Sequence, residues 1–407
     1  MTMFKRSECN VDAQRTPVKA RRRGCLPERY RTAYRAAGQS LTIVVIFSFF
    51  FGCAGIKFKT ELTPLSTDIP MYGRTPSREF TDSSTFTFPL EMKWEYDASA
   101  GFGQAPPIIV GNAMFIGTLQ GELHAVNAET GKRIGYFKTF SPVQSSPTVF
   151  KNLLVYGTES GKDNLIAYRI DDGEEMWAKD LGGVVASPAV AGEYIIAAGL
   201  NGSVYSFDRY GTQQWSFDTE APVRSSPCVW NGMVFCASTN GRVFGLNAET
   251  GTIVWKFTSR NAVYAGLTVS GGMLVAASRD SSVYVLDPET GTVRNQIRLE
   301  NKIMAAPAVS GTTIYVSSLD GSVNAFRTTD GEKLWQFNAH SVINTTPFVT
   351  PAAIFVASLD KHIYALSPAD GSVLWKKELP ARIKTTPLVW KNSLFIAAED
   401  KTIYCFR

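Results

Sequence analysis

Seven glycines recur along this chain at almost constant intervals: Gly131, Gly173, Gly211, Gly251, Gly291, Gly331 and Gly371, spaced 42, 38, 40, 40, 40 and 40 residues apart. Four residues after each comes Gly135, Trp177, Trp215, Trp255, Asn295, Trp335 or Trp375. A period near forty in a β-rich sequence means a repeated unit that cannot bury its faces alone and must stack on its neighbours. Four short strands fit in each period, the pattern of an all-β propeller of four-stranded blades. Residues 304–340 show one unit. A small-residue strand ends in a turn at Gly311, and residues 313–317 then alternate with strand period. Asp320-Gly321 makes a tight hairpin, residues 323–326 form a third strand, and the turn at 329–331 leads into a fourth around Trp335. No stretch carries a sustained helical period, and Gly and Pro punctuation would interrupt one.

The count predicts eight blades. Inner strands fall around Pro106, Pro147, Pro188, Pro227, Leu267, Pro307, Pro347 and Pro387, and outer strands around Trp94, Gly135, Trp177, Trp215, Trp255, Asn295, Trp335 and Trp375. The last unit lacks its fourth strand, whereas an unpaired strand stands at residues 92–96. Adding that strand to the last unit would close the ring and remove an exposed edge. The propeller is therefore expected over residues 90–407.

Residues 1–40 hold ten Lys or Arg and three acidic residues, a net of +7 in a chain of net +5. The remainder of the chain is slightly acidic, so the propeller offers no bulk electrostatic case for nucleic-acid binding. A largely apolar run at 41–51 is too short for a bilayer span of about 20 residues and ends in Phe-Gly-Cys53. Basic flank, short apolar core and small residue read as a secretory signal over 1–52. Gly52-Cys53 resembles a bacterial lipoprotein lipobox, which implies cleavage before Cys53, lipidation of its thiol and a periplasmic propeller. By the same resemblance, Ala54 after the Cys implies sorting to the outer membrane. A short membrane anchor with a cytoplasmic tail and a twin-arginine signal at Arg22-Arg23 are the other readings of this leader. Residues 53–89, rich in Thr, Ser and Pro, are expected to form a flexible tether reaching roughly 30–35 Å as a coil. Cys228 and Cys236 flank an Asn231-Gly232 hairpin that pairs residue 228 with 235 and puts Cys236 on the opposite sheet face. Both are expected as buried free thiols, although an oxidising compartment permits a bridge.

The turn Asn-Ala-Glu-Thr-Gly at 127–131 and 247–251, and Asp-Pro-Glu-Thr-Gly at 287–291, resembles the quinoprotein-type repeat. In that family the Trp four residues after the Gly docks between blades, which implies weaker docking at Gly135 and Asn295. The family's enzymes use a vicinal disulfide, a Ca²⁺ ion held by carboxylate and amide oxygens, and a catalytic Asp. Adjacent cysteines do not occur here. The positions three before the inner-strand Pro, expected at the channel mouth, are Gln144, Val185, Arg224, Met304, Asn344 and Lys384, with Tyr264 in the equivalent place. None is the carboxylate that Ca²⁺ wants, so no cofactor, metal or catalytic residue is assigned. Asp280, Asp320, Asp360 and Asp400 recur at forty-residue spacing, as expected for turn residues bonding their own backbone. His124, His340 and His362 stand in different repeats with no ligand partner at metal-binding spacing.

What remains is a binding surface. Loops after second and fourth strands share one face, and that face carries Arg224, Arg279, Lys302, Arg382 and Lys384 beside Val223, Val263, Tyr264, Ile303 and Ile383, all read as exposed. Mixed charge around apolar anchors suits a protein partner. A lipobox ahead of an eight-bladed quinoprotein-type propeller without a cofactor set resembles the propeller lipoproteins of the outer-membrane β-barrel assembly machinery. The resemblance implies a non-enzymatic scaffold, monomeric within a complex, that docks the periplasmic domains of the barrel-forming protein through an Arg and apolar neighbours. Residues 222–227 match that docking loop best, with Arg224 as the docking Arg and Val223 its neighbour. The acidic pair of the family's next loop is absent at 261–265. Tyr264 and Lys384 complete the expected partner-binding set. A diverged quinoprotein dehydrogenase and an envelope carbohydrate- or peptide-binding propeller are the alternatives.

Overall fold

The computed structural model describes residues 56, 58 and 62–407; the leader and Cys53 lie outside the described residues. Strands in this sequence are short because turns interrupt the chain, most of them at a residue with positive φ, usually Gly, as at Gly111, Gly121 and Gly131. The described residues form eight antiparallel four-stranded sheets. Seven are consecutive in sequence: blade 1 (108–138), blade 2 (148–179), blade 3 (189–218), blade 4 (228–258), blade 5 (268–298), blade 6 (308–338) and blade 7 (348–378). Blade 8 takes three strands from residues 388–406 and its outer strand from Met92–Asp97. That strand pairs with Thr402–Phe406, Trp94 opposite Cys405 and Tyr96 opposite Ile403. The expected closure by residues 92–96 is therefore the observed one.

In every blade the register between the third and fourth strands slips at one place. In blade 4, Gly245 faces Trp255 while Leu246 faces Ile253, leaving Val254 as the extra residue. A bulge at this point re-aims the following side chain. Five indoles lie across the seam to the next blade, their N–H groups donating to carbonyls in its Gly turn: Trp94 to Ala128 (3.2 Å), Trp177 to Arg209 (3.0 Å), Trp215 to Ala248 (2.9 Å), Trp255 to Pro288 (2.8 Å) and Trp335 to Pro368 (3.0 Å). The repeated Gly serves the same seam. Gly251 has φ +70°, and a Cβ there would stand 2.5 Å from the Trp215 ring. Both backbone conformation and indole exclude a larger residue.

Small hydroxyl residues bind the inner strands into a belt around the channel. Ser146 N–H donates to Ser187 Oγ (2.9 Å), Ser187 N–H to Ser226 Oγ (2.9 Å) and Thr148 Oγ1 to the Pro188 carbonyl (2.7 Å). Between blade 8 and the entry to blade 1, Thr386 N–H donates to the Gln104 carbonyl (3.0 Å). Cys228 pairs with Phe235, as the hairpin spacing predicts. Cys228, Cys236 and Cys405 are buried free thiols. Burial pushes the thiols of Cys228 and Cys405 up to about 12, so neither is a ready nucleophile.

The stretch before blade 8 corrects the expectation of a flexible tether. Ile56 is already buried among blade 1 and 2 side chains. From residue 68 onward the chain threads the channel. Ile69 bridges to Ile109 in both directions (2.7 and 2.9 Å), and Val149, Val229, Val269 and Val349 donate their N–H groups to the carbonyls of Pro70, Pro76, Ser77 and Phe80 (2.8–2.9 Å). The inner strand of a propeller leaves one row of backbone groups facing the channel, and this segment satisfies part of that row. Composition carries no sign of this because the contacts are made by backbone.

Candidate functional site: the channel mouth

The loop before each inner strand alternates. One residue turns into the seam and the next faces the axis. Val143, Val184, Val223, Val263, Ile303, Ile343 and Ile383 all take the first role and are buried, at most 1% exposed. Val143 and Val184 fit against Gly117 and Gly157, where any Cβ would collide with them. The reading of Val223, Val263, Ile303 and Ile383 as exposed is corrected by this packing. Val223 belongs to the blade 3–4 core with Ala198 and Val234 and cannot anchor a partner without leaving it.

The second role is filled as the spacing predicts. Gln144, Val185, Arg224, Tyr264, Met304 and Asn344 line one funnel of about 370 Å³ at the mouth. Gln104 lines it too. It stands three before Pro107, and counting from Pro106 concealed it. Lys384 sits at the rim, ion-paired with Glu399, which also faces Arg382 at 3.9 Å. Among the described residues no carboxylate lines the funnel. Among the described residues Arg224 has no carboxylate within salt-bridge distance, and its side chain is exposed. Arg279 lies over the Tyr264 ring, 5.0 Å from guanidinium carbon to centroid, and pre-orders that ring as a flat contact surface. The funnel's floor is Tyr72, brought there by the threaded segment.

The recurring aspartates behave as turn residues. Asp280, Asp320, Asp360 and Asp400 accept the N–H two residues on, at 2.9, 2.9, 2.9 and 3.2 Å. Three also accept a Tyr hydroxyl four residues on: Tyr284 (2.7 Å), Tyr364 (2.7 Å) and Tyr404 (2.6 Å). Burial and the facing carboxylate both hold these phenols above their usual range. The histidines likewise stay apart. His124 lies at the closing seam, Nδ1 2.9 Å from the Tyr96 hydroxyl and Nε2 3.1 Å from Glu122. No group of three potential ligands for a metal occurs among the described residues.

Pyrroloquinoline quinone, which the repeat type brings to mind, does not fit this channel. Tyr72 floors the funnel, and beneath it Arg78 donates to the carbonyls of Pro227 (2.6 Å), Tyr72 (2.6 Å), Ser187 (2.8 Å) and Pro188 (3.1 Å). The space is taken by the chain itself, and the funnel offers no carboxylate for the metal such a cofactor requires.

A family model described as outer membrane protein assembly factor BamB matches residues 91–183, 161–263, 239–353 and 340–406. The outer membrane protein assembly factor BamB of Shewanella oneidensis is 27% identical over 160 residues, 35% of this chain and 40% of that protein. The BamB of Burkholderia pseudomallei is 25% identical over 174 residues, 40% of this chain and 45% of that protein. The alignments thus span less than half of each relative. Among solved structures, BamB from Moraxella catarrhalis superposes with TM-score 0.68 at 21% identity, covering 78% of this chain and all of that one. The quinohemoprotein alcohol dehydrogenase of Comamonas testosteroni reaches 0.73 at 12% identity, over 84% of this chain and 80% of that one. These two share the fold alone with the present chain, and the ring by itself does not separate scaffold from enzyme. The family model matches across all eight blades, and on that match the chain belongs to the family of the outer membrane protein assembly factor BamB.

Proposed function

We propose that this protein is a lipid-anchored scaffold on the periplasmic side of the outer membrane, where it binds a protein partner in β-barrel assembly and catalyses no reaction. The family match over residues 91–406 carries the reading. The mouth supplies the chemistry: an exposed Arg224 with no carboxylate partner among the described residues, a Tyr264 ring held by Arg279, and Lys384 at the rim. Arg and Tyr are the side chains from which binding hot spots are most often built. With Val223 withdrawn into the core, the docking set is Arg224, Tyr264 and Lys384, and the partner's matching groups are acidic and apolar. Cys53 is the proposed lipidation site, and the barrel-forming outer-membrane protein is the proposed partner.

Affinity purification from membranes tests the docking. Arg224→Glu is expected to lower recovery of the barrel-forming protein at least about thirtyfold, the cost of a lost hot spot of about 2 kcal/mol. Its thermal melt should stay within a degree or so of the parent, because an exposed side chain outside any ion pair contributes little to folding. An unchanged set of co-purifying proteins would remove Arg224 from the interface. Cys53→Ala is expected to release the mature chain into the soluble fraction or leave an uncleaved precursor; unaltered mass and membrane association would reject the lipoprotein reading.

A further inference from the structure

The threaded segment determines which way the mouth can face. In an antiparallel four-stranded blade, the turns joining strands one to two and three to four emerge at one end, and those joining two to three and blade to blade at the other. The mouth residues belong to the second end. The segment enters and leaves at the first: Gly111 N–H, in the first turn of blade 1, donates to Asp68 (2.9 Å), and Phe58 N–H donates to the Ile170 carbonyl (3.3 Å) in the last turn of blade 2. On the way out, Asn392, in the first turn of blade 8, donates its N–H to Ser84 Oγ (3.1 Å) and accepts from Thr85 N–H (3.1 Å). Between these ends the chain dips through the channel until Tyr72 reaches the floor of the mouth.

The dip is a specified conformation. Arg74, Arg78 and Phe80 hold φ of 70°, 58° and 56°, a region such residues adopt only where their surroundings over-determine it. A Cβ on Gly73 would lie 2.7 Å from the Arg78 Cα, so the turn closes on itself. Arg78 is fully buried, stacked 5.1 Å from the Tyr72 ring centroid. Its guanidinium finds carbonyls from blades 3 and 4 and no carboxylate among the described residues. A buried cation satisfied by three carbonyls of the ring wall and one of its own segment works as a pin: it is desolvated without compensation anywhere but here.

We infer that residues 62–91, with Ile56 and Phe58, form a rigid strut which fixes the ring with its mouth on the side away from Ile56. Ile56 is packed three residues after Cys53, so the slack between that thiol and the ring is about 10 Å and not the reach of a coil. Combined with the proposed lipid on Cys53, on which this consequence rests, the strut turns Arg224, Tyr264 and Lys384 toward the periplasm and the partner, and the Gly-turn face toward the membrane.

Spin-label distances in the full chain, with Cys9, Cys25 and Cys53 replaced by Ser, test the strut without any membrane. Labels at Thr63→Cys and Glu129→Cys (Gly-turn end of blade 1) should give a narrow distribution. It should be centred at a shorter distance than Thr63→Cys with Phe140→Cys (mouth end of the same blade). Broad distributions for both pairs, or the shorter distance to residue 140, would overturn the inference. In Arg78→Ala the first distribution should broaden, and the amides of Val149, Val229 and Val269 should exchange at least about tenfold faster. Should Arg78→Ala fail to fold, Gly73→Val, which breaks the turn without leaving orphaned carbonyls, supplies the same two readouts. Exchange unaltered in a folded variant of either kind would show that the pin does not hold the segment. None of these measurements depends on lipid, so their failure is distinct from a failure of anchoring.

Discussion

Two neighbouring seams of the ring show what the repeat demands. At the seam between blades 4 and 5, Trp255 lies on Gly291, donates to the Pro288 carbonyl, and Phe257 packs on Tyr284 with centroids 4.9 Å apart. At the seam between blades 5 and 6 the equivalent places hold Asn295, Ile297 and Asn324. Asn295 approaches Gly331, yet its buried Nδ2 has no acceptor. A cleft of about 320 Å³ opens there, lined by Ile297, Asn324, Gly331 and Phe326 among others. Blade 1, which also departs from the Trp pattern at Gly135, is different again: it keeps the second contact, Phe137 stacked on Tyr168 at 4.7 Å. The expected weakening is therefore concentrated at Asn295. At the seams after blades 3, 4 and 6 the indole on the Gly turn is joined by a second ring contact, Phe217 on Phe244, Phe257 on Tyr284 and Phe337 on Tyr364; blade 1 keeps the second contact without the first, and blade 5 has neither.

Removing a seam outright should have the largest effect. Deleting residues 92–97 takes away the fourth strand of blade 8, the Trp94 contact with Gly131 and the Tyr96 link to His124. The truncated chain is expected to lose cooperative melting and to associate through the bare edge of Thr402–Phe406. A monodisperse product melting like the parent would mean the ring does not need this closure. Next, Trp255→Ala should cost about 3–5 kcal/mol, read by chemical denaturation, as for other buried aromatic truncations. The reverse change sharpens the comparison: Asn295→Trp has an adjacent cleft to occupy and removes an unsatisfied amide. It should raise stability by about 1–2 kcal/mol. A fall instead would show that seam 5–6 has repacked around Asn295 and has no room for an indole.

The smallest effect concerns acid at the closing seam. Burial holds His124 below the ordinary imidazole value, against the opposing pull of Glu122. The unfolded chain therefore binds the proton more readily than the folded one, and stability should fall as pH drops through the unfolded imidazole range, near 6.5. His124→Gln should flatten that part of a stability-against-pH profile. An equally steep slope in the variant would place the titrating group elsewhere.

The glycine period, the Trp at plus four and the orphan strand at residue 92 make blade number and closure legible, because each blade is a local unit whose turns demand particular residues. Spacing also finds most of the mouth, since repeats place equivalent positions on one ring. The four apolar loop residues escape such a reading because a two-residue alternation says that one side chain faces in and the next out, without saying that "out" is the axis and "in" the neighbouring blade. The threaded segment leaves no mark at all. Many of its contacts join residues 69–82 to inner strands as distant in sequence as Val349 through backbone hydrogen bonds, which every residue type except Pro can donate and all can accept. Sequence determined the ring, because turns, bulges and docked indoles are local and repeated. Tertiary structure alone decided what fills its channel and which face is left free, because those depend on where one unrepeated segment finds unpaired backbone.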